Sequence, residues 1–194
     1  MFDFSGFVKN LFVEKSQNDF FNKCVKIIQN TQSITTCKSK NKYVVTYKLD
    51  DGYLDFDTKN QQIIRYNKNK QQIQSMDCAD AGNEMFTKIL NIAKKRLETA
   101  MDMENLSKIE NYINSTKSIS RKPQTWMYTL DTVCIDFRTL RDEIVVLSHH
   151  GQIMYSVKCA WEKNNPTQEA KYDCFNHLST LARKKALELS GKNR

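Results

Sequence analysis

A stretch of twelve residues occurs twice in this chain, and that limits the folds open to it more than any other feature. Residues 47–58, Tyr-Lys-Leu-Asp-Asp-Gly-Tyr-Leu-Asp-Phe-Asp-Thr, return 81 positions later at 128–139 as Tyr-Thr-Leu-Asp-Thr-Val-Cys-Ile-Asp-Phe-Arg-Thr. Six positions are identical (Tyr47/Tyr128, Leu49/Leu130, Asp50/Asp131, Asp55/Asp136, Phe56/Phe137 and Thr58/Thr139), and Leu54/Ile135 is a conservative match. Typical residue frequencies give roughly one identity by chance over such a window. The match extends outwards. Ile63 and Ile64 fall on Ile144 and Val145, Gln72-Ile73 on Gln152-Ile153 after a one-residue slip, and Cys78-Ala79 on Cys159-Ala160. The second copy then carries an insertion of about eight residues around Glu162 to Gln168, after which Phe86/Phe175, Ile89/Leu178 and Ala93/Ala182 realign. Upstream, Lys26-Ile27 aligns with Lys108-Ile109. A repeat of this length is one supersecondary unit used twice.

Each copy reads as a short helix, four strands and a closing helix. The opening helices are expected over about Asn18–Asn30 and Glu104–Asn114. In the first copy, Tyr43, Val45, Tyr47 and Leu49 alternate with Lys42, Val44, Thr46 and Lys48, the period of two of a half-buried strand over about 42–49. Asp50-Asp51-Gly52 suits a tight hairpin turn. A second strand carries Leu54 and Phe56, a third covers about 62–66, Asn67–Lys70 turn, and a fourth covers about 71–76. The second copy places strands at about 125–130, 133–138, 143–147 and 152–159, with His149-His150-Gly151 as its last turn. Phe86, Ile89, Leu90, Ala93, Leu97 and Met101 recur at helical spacing, as do Phe175, Leu178, Leu181, Ala182 and Leu189. The expected fold is therefore α+β: a tandem duplication of a four-stranded antiparallel meander packed on a C-terminal helix, each copy preceded by a short helix. The expected segments are 1–16, an amphipathic stretch bearing Phe2, Phe4, Phe7, Leu11 and Phe12; 17–101, repeat one; and 102–194, repeat two, the repeats packed as one globular domain.

Charge and cysteine usage bound the functional class. A net charge of +8 points to an acidic partner, nucleic acid before an anionic membrane. The N-terminus has no secretion signal, with Asp3 where a basic residue would stand, and no stretch reaches the roughly 18 apolar residues of a membrane helix. Six scattered Cys then read as reduced thiols, giving an intracellular localisation (cytoplasm, nucleus or organelle interior).

Catalytic and metal patterns are weak. Asp55-Phe-Asp57 puts two carboxylates on one strand face, a cation site or acid/base pair, but the second copy has Asp136-Phe-Arg138, and a turn-fixing or solvated role is the plainer reading. His149-His150 with Cys134, Cys159 or His177 lacks zinc-ligand spacing. No phosphate-binding loop of the GxxxxGK[ST] or GxGxxG kind occurs. The expectation is a non-enzyme with no cofactor and no metal. The runs Ala93-Lys-Lys-Arg96 and Ala182-Arg-Lys-Lys185 are either phosphate-contacting patches or solvated helix faces.

The sheet faces carry more. Lys42, Lys48, Tyr53 and Arg65 from the first sheet, and Arg138 and Lys158 from the second, are assigned to outward faces, with Lys68, Lys70, Arg121, Lys122 and Arg141 in flanking turns. Cations mixed with aromatic rings suit single-stranded nucleic acid, bases stacking while Lys and Arg follow the phosphates; a wet outer sheet face has the same composition. Tyr43, Tyr47, Trp126 and Tyr128 share faces with Val45, Leu49 and Leu130 and are expected in the core.

Two successive units of four antiparallel strands and a helix, from Lys42 to Leu189, resemble the PUR and Whirly families in order of elements. The extra helix before each set of strands departs from that pattern. The resemblance implies intertwined repeats, homo-oligomerisation through helices, and single-stranded DNA or RNA lying across the sheets at Lys42, Lys48, Tyr53, Arg65 and Arg138. The functional expectation is a non-enzymatic binder of single-stranded nucleic acid. The alternative is a protein-interaction module, an adaptor, chaperone-like protein or complex subunit, whose protein partner docks through the N-terminal segment.

Overall fold

The computed structural model describes residues 4–39, 41–79 and 83–191, with side chains described at 15–39, 41–79 and 84–191. The chain divides into two compact units, Met1–Ala100 and Met101–Arg194. The first unit runs α1 (Phe4–Asn30), β1 (Thr35–Cys37), β2 (Val44–Leu49), β3 (Gly52–Asp57), β4 (Gln62–Asn67), β5 (Gln72–Asp77) and the start of α2 (Asn83–Ser115). The second runs from the end of α2 through β6 (Ile119–Arg121), β7 (Met127–Leu130), β8 (Cys134–Arg138), β9 (Glu143–Leu147), β10 (Ile153–Lys158) and α3 (Pro166–Gly191).

Each unit is α+β with one antiparallel sheet, and each sheet has five strands where four were expected. The extra strands, β1 and β6, are edge strands of three residues, added antiparallel to β2 and β7. The other strands form a meander in sequence order, so β5 and β10 are the opposite edges. The opening helices also differ from expectation. α1 starts at Phe4 and absorbs most of the segment 1–16, whose amphipathic side chains lie outside the described residues. The helix expected at 104–114 is the second half of α2, continuous with the helix closing the first unit. No Gly, Pro or capping sequence stands between Ala100 and Glu104 to stop it.

The first core lies between one sheet face and two helical stretches. Tyr47, Leu49, Leu54, Phe56 and Ile63 from the sheet meet Phe20, Cys24 and Ile28 from α1 and Phe86, Ile89 and Ala93 from α2. The second core is Tyr128, Leu130, Ile135, Phe137, Ile144, Val146 and Val157 against Leu106, Ile109 and Ile113 of α2 and Phe175, Leu178 and Ala182 of α3. The aromatic packing coincides. Tyr47 meets Phe56 edge-on at 5.6 Å and Phe56 meets Phe86 at 5.9 Å; Tyr128–Phe137 and Phe137–Phe175 are both edge-on at 5.9 Å. As expected, Tyr47 and Tyr128 are core residues. Tyr43 and Trp126 are not: they precede the first pleated residues of β2 and β7, and stay 41% and 38% exposed.

An offset of 81 holds from Tyr47/Tyr128 to Cys78/Cys159 without the expected slip. Both sheets carry a β-bulge at the same place, opposite Arg65/Tyr66 in one and between Ile153 and Tyr155 in the other. The counterpart of Gln152 is Gln71, the first of two adjacent glutamines, and β5 and β10 begin at the equivalent Gln72 and Ile153. The turns agree as well. Gln61 and Asp142 both have positive φ, and their carbonyls accept from Cys78 and Cys159 N–H. Lys70 takes positive φ where the second unit has Gly151. Gly52 is required by close approach: a Cβ there would meet the Tyr66 carbonyl oxygen at 2.1 Å.

A clasp at each opening helix was not foreseen. Thr31 and Thr116 follow the last turns of α1 and α2. Their buried hydroxyls donate to Ser33 and Ser118 carbonyls and accept from Asp50 and Asp131 N–H. The Asp50 carboxylate in turn accepts from Gln32 and Ser33 N–H, and Asp131 from Lys117 N–H. These backbone donors hold both carboxyls below the usual carboxylate range. The equivalence Thr31/Thr116 sets an offset of 85 for the opening helices, pairing Cys24 with Ile109 and Ile28 with Ile113, in place of the expected Lys26-Ile27 with Lys108-Ile109.

Candidate functional site

The outer face of the first sheet, turned away from the helices, follows from strand register because directly opposed residues share a face. One row is Thr35, Lys48, Tyr53, Tyr66 and Gln72; the next is Cys37, Thr46, Asp55, Ile64 and Ser75; a third is Val44, Asp57, Gln62 and Asp77. Strand twist and the β4–β5 turn fold this face into a concavity of about 240 Å³. It is lined by half-buried Asp55, Thr46, Tyr66, Tyr53 and Cys37, with exposed Lys38 and Lys70 at its rim. Asp55 accepts from the Thr46 hydroxyl at 2.6 Å. Burial, followed by the neighbouring Asp55 carboxylate, raises the Tyr66 hydroxyl above its ordinary value. The companion Asp57 is committed to its turn, accepting from Lys59 N–H, Asn60 N–H and the Asn60 amide, which hold it below the usual range. The two carboxylates of Asp55-Phe-Asp57 therefore serve different neighbours.

The second unit's outer face has the same register and different chemistry. Its rows are Ser120, Thr129, Cys134, Leu147 and Ile153; Met127, Asp136, Val145 and Ser156; and Arg138, Glu143 and Lys158. Arg138 stands where the first unit has Asp57. It donates to Asp136 at 3.0 Å and to Glu143 at 3.3 Å, and both carboxylates hold its guanidinium above its ordinary value.

The expected cations separate into groups. Arg65 is opposite Leu54, which turns it to the core side, where it pairs with Asp51 at 2.8 Å; its outward assignment is corrected. Arg138 faces outwards as expected but is engaged by two acids. Lys48 and Lys158 are exposed on the outer faces and make no ion pair among the described residues. Lys42 precedes β2 instead of lying within it, with its ammonium 4.9 Å from the Tyr43 ring centre; Lys59, which the sequence did not single out, is 5.9 Å from the same ring. Lys70 sits 5.8 Å from the Tyr53 ring. In the second unit, Arg121 lies 4.7 Å from the Trp126 ring and donates to the Thr125 carbonyl, and Lys122 and Arg141 are exposed nearby in sequence, in the loop after β6 and the β8–β9 turn. Lys68 is exposed in the β4–β5 turn and helps lower Asp50.

The helix runs are partly structural. Arg96 donates to the Thr31 carbonyl at 2.6 Å and Lys185 to the Asn114 carbonyl at 3.2 Å, so each closing helix caps the C-terminal end of its opening helix. His149 bonds the Asp131 carbonyl with Nε2, and His177 meets Glu110 at 3.3 Å. Among the described residues, no three His, Cys, Asp or Glu side chains gather as a metal site, and no helix is long and apolar enough to cross a membrane. The chain matches no protein-family model and no curated protein.

Proposed function

We propose that this protein binds single-stranded nucleic acid without catalysing a reaction, and that its two units are copies of one duplicated unit, as the offset of 81 and the common bulge support. One observation carries the binding reading: exposed or half-exposed aromatic rings are each flanked by cations, Tyr43 by Lys42 and Lys59, Tyr53 by Lys70 and Trp126 by Arg121. A ring presents a stacking surface to any base while the adjacent cation meets the phosphate. The net charge of +8 adds long-range attraction. Each unit carries its own contact surface, Tyr43, Tyr53 and Lys48 with the loop before β2 in the first and Trp126 with the loop before β7 in the second, and both leave out Arg65 and Arg138.

Fluorescence anisotropy with labelled single-stranded DNA, single-stranded RNA and duplex DNA, each at several salt concentrations, tests this. Single strands are expected to bind best, with affinity falling steeply as salt rises. Tyr43→Ala and Trp126→Ala should each cost about 1–3 kcal/mol of binding. Absence of binding at low salt, or equal binding by both variants, overturns the reading. A protein-interaction module then becomes the better account, favoured by exposed Ile73, Ile153 and Met154 on the unpaired edge strands β5 and β10.

A further inference from the structure

We propose that the concavity on the outer face of the first sheet binds a guanine base through Asp55, the base lying against Tyr53 and Tyr66 with its phosphate toward Lys38 and Lys70. The proposal deepens the nucleic-acid reading and rests on it where the base arrives within a strand; a free guanine nucleotide is the other source of the same chemistry.

Size comes first. A volume of about 240 Å³ suits a single base and falls below the roughly 300 Å³ at which pockets for larger ligands begin. Hydrogen bonding comes next. A carboxylate only accepts, with about four lone-pair sites; Thr46 uses one of those on Asp55 and the Tyr66 hydroxyl faces another, which leaves about two. The ligand must therefore bring donors. Guanine offers two adjacent ones, N1–H and the N2 amino group. Adenine and cytosine each set one amino donor beside a ring-nitrogen acceptor that the carboxylate repels, and uracil sets one N–H between two carbonyls. Guanine alone among the four offers two adjacent donors to the Asp55 carboxylate.

The second unit supplies an internal comparison. Asp136 occupies the position of Asp55 and is engaged by Arg138, whose Nε–H donates to it while a second guanidinium nitrogen donates to Glu143. The aromatic walls are absent there, since Cys134 and Leu147 replace Tyr53 and Tyr66. In the first unit Asp57 replaces Arg138 and is turned to the Lys59–Asn60 turn, and no cation pairs with Asp55 among the described residues. The first site is thus open where the second is closed by its own arginine. An arginine from a partner protein would match Asp55 equally, but Lys38 and Lys70 at the rim repel a cation and attract a phosphate.

Calorimetric titration of the full chain with GMP, AMP, CMP, UMP and xanthosine monophosphate, beside anisotropy with an oligothymidylate carrying or lacking one central guanine, tests this. GMP is expected to bind about tenfold or more tightly than AMP, CMP or UMP. Asp55→Asn should reverse the preference: an amide offers one acceptor and one donor, which complements the N1–H and carbonyl of xanthine, so xanthosine monophosphate should overtake GMP. A merely structural role for Asp55 would not exchange one purine for another. Asp57→Arg, which installs the arrangement the second unit already tolerates, should abolish GMP selectivity while keeping the native circular-dichroism spectrum, with a melt lowered by loss of the bonds Asp57 accepts in its turn, and keeps the test decisive if Asp55→Asn fails to fold. Equal affinities for the four nucleotides, or GMP selectivity that survives both variants, overturn the proposal. If the oligothymidylate binds while GMP shows no preference, the base pocket fails and the strand reading stands. If GMP is selected while no oligonucleotide binds, the pocket stands as a mononucleotide site and the strand reading falls.

Discussion

Lys171 is the one charged residue buried among those described, its side chain 8% exposed, and its ammonium is bonded to Asp102 of α2, whose side chain is 25% exposed. The asymmetry of exposure makes the pair's two ends unequal. Asp102→Ala strands an ammonium in the protein interior, a change that costs about 3–5 kcal/mol when the site is dry. The Asp102 end is a quarter open, so water recovers part of that, and the expected loss is about 2–3 kcal/mol. Alanine is the better helix former at this position, so propensity works against the loss. Lys171→Met keeps the methylene packing and lets Asp102 rehydrate, and should cost no more than about 1 kcal/mol. The double variant should resemble Lys171→Met, a coupling of about 2–3 kcal/mol. Urea denaturation followed by tryptophan fluorescence is well suited, because both tryptophans, Trp126 and Trp161, belong to the second unit. The reasoning is refuted if Lys171→Met costs as much as Asp102→Ala.

Two further outcomes follow from groups already described. Burial pushes the thiols of Cys24 and Cys159 up to about 12 and that of Cys78 up to about 11, so at pH 8 these three should react with a disulfide reagent only after urea unfolds the chain; reaction at the rate of half-buried Cys37 and Cys134 would show the cores to be open. The carboxyl of Asp131 is held below its ordinary value by backbone N–H donors, so the unfolded chain takes up the proton first; its stabilising effect is complete above about pH 4 and fades as pH falls through the lower, folded value. Asp131→Asn should therefore flatten the acid limb of the urea midpoint measured by tryptophan fluorescence, and an unchanged limb counts against the clasp.

Strong local periodicity made most of the fold legible. The alternation around Tyr47 and Leu49, the turn at Asn67–Lys70 and the stripes through Phe86 and Phe175 are local signals, and each marks an observed element. The missed features depend on partners distant in sequence. β1 and β6 have three residues each, too few for alternation to register, and exist because Thr36 and Ser120 meet Tyr47 and Thr129 across the sheet. Alternation alone cannot decide which face looks outwards at β4; only the pairing Leu54–Arg65 turns Arg65 inwards. Of the site, Tyr53, Lys48 and Lys70 were legible as a cation and aromatic mixture. The role of Asp55 was not, because it comes from Thr46 and Tyr66 on neighbouring strands.

The contrast between the two units indicates where function resides. Their buried positions coincide almost residue for residue: Tyr47 with Tyr128, Phe56 with Phe137, Phe86 with Phe175, Ala93 with Ala182, and the two clasps with each other. Close packing explains this, since a core of edge-on aromatic rings tolerates little change in shape. The outer faces are free of that constraint and differ at nearly every position: Thr46 against Met127, Tyr53 against Cys134, Tyr66 against Leu147, Asp57 against Arg138, Asp77 against Lys158. Random drift on a wetted face would leave scattered small and charged residues. The first unit instead gathers two tyrosines, a threonine hydroxyl and a carboxylate around one concavity, and the second spends the equivalent carboxylate on its own arginine. On the proposed reading, a face that closes on itself in one unit and stays open in the other amounts to a division of labour, one unit selecting a ligand and the other adding general affinity through Trp126 and Arg121. Grafting the second unit's outer residues onto the first should accordingly remove selectivity and leave the fold intact.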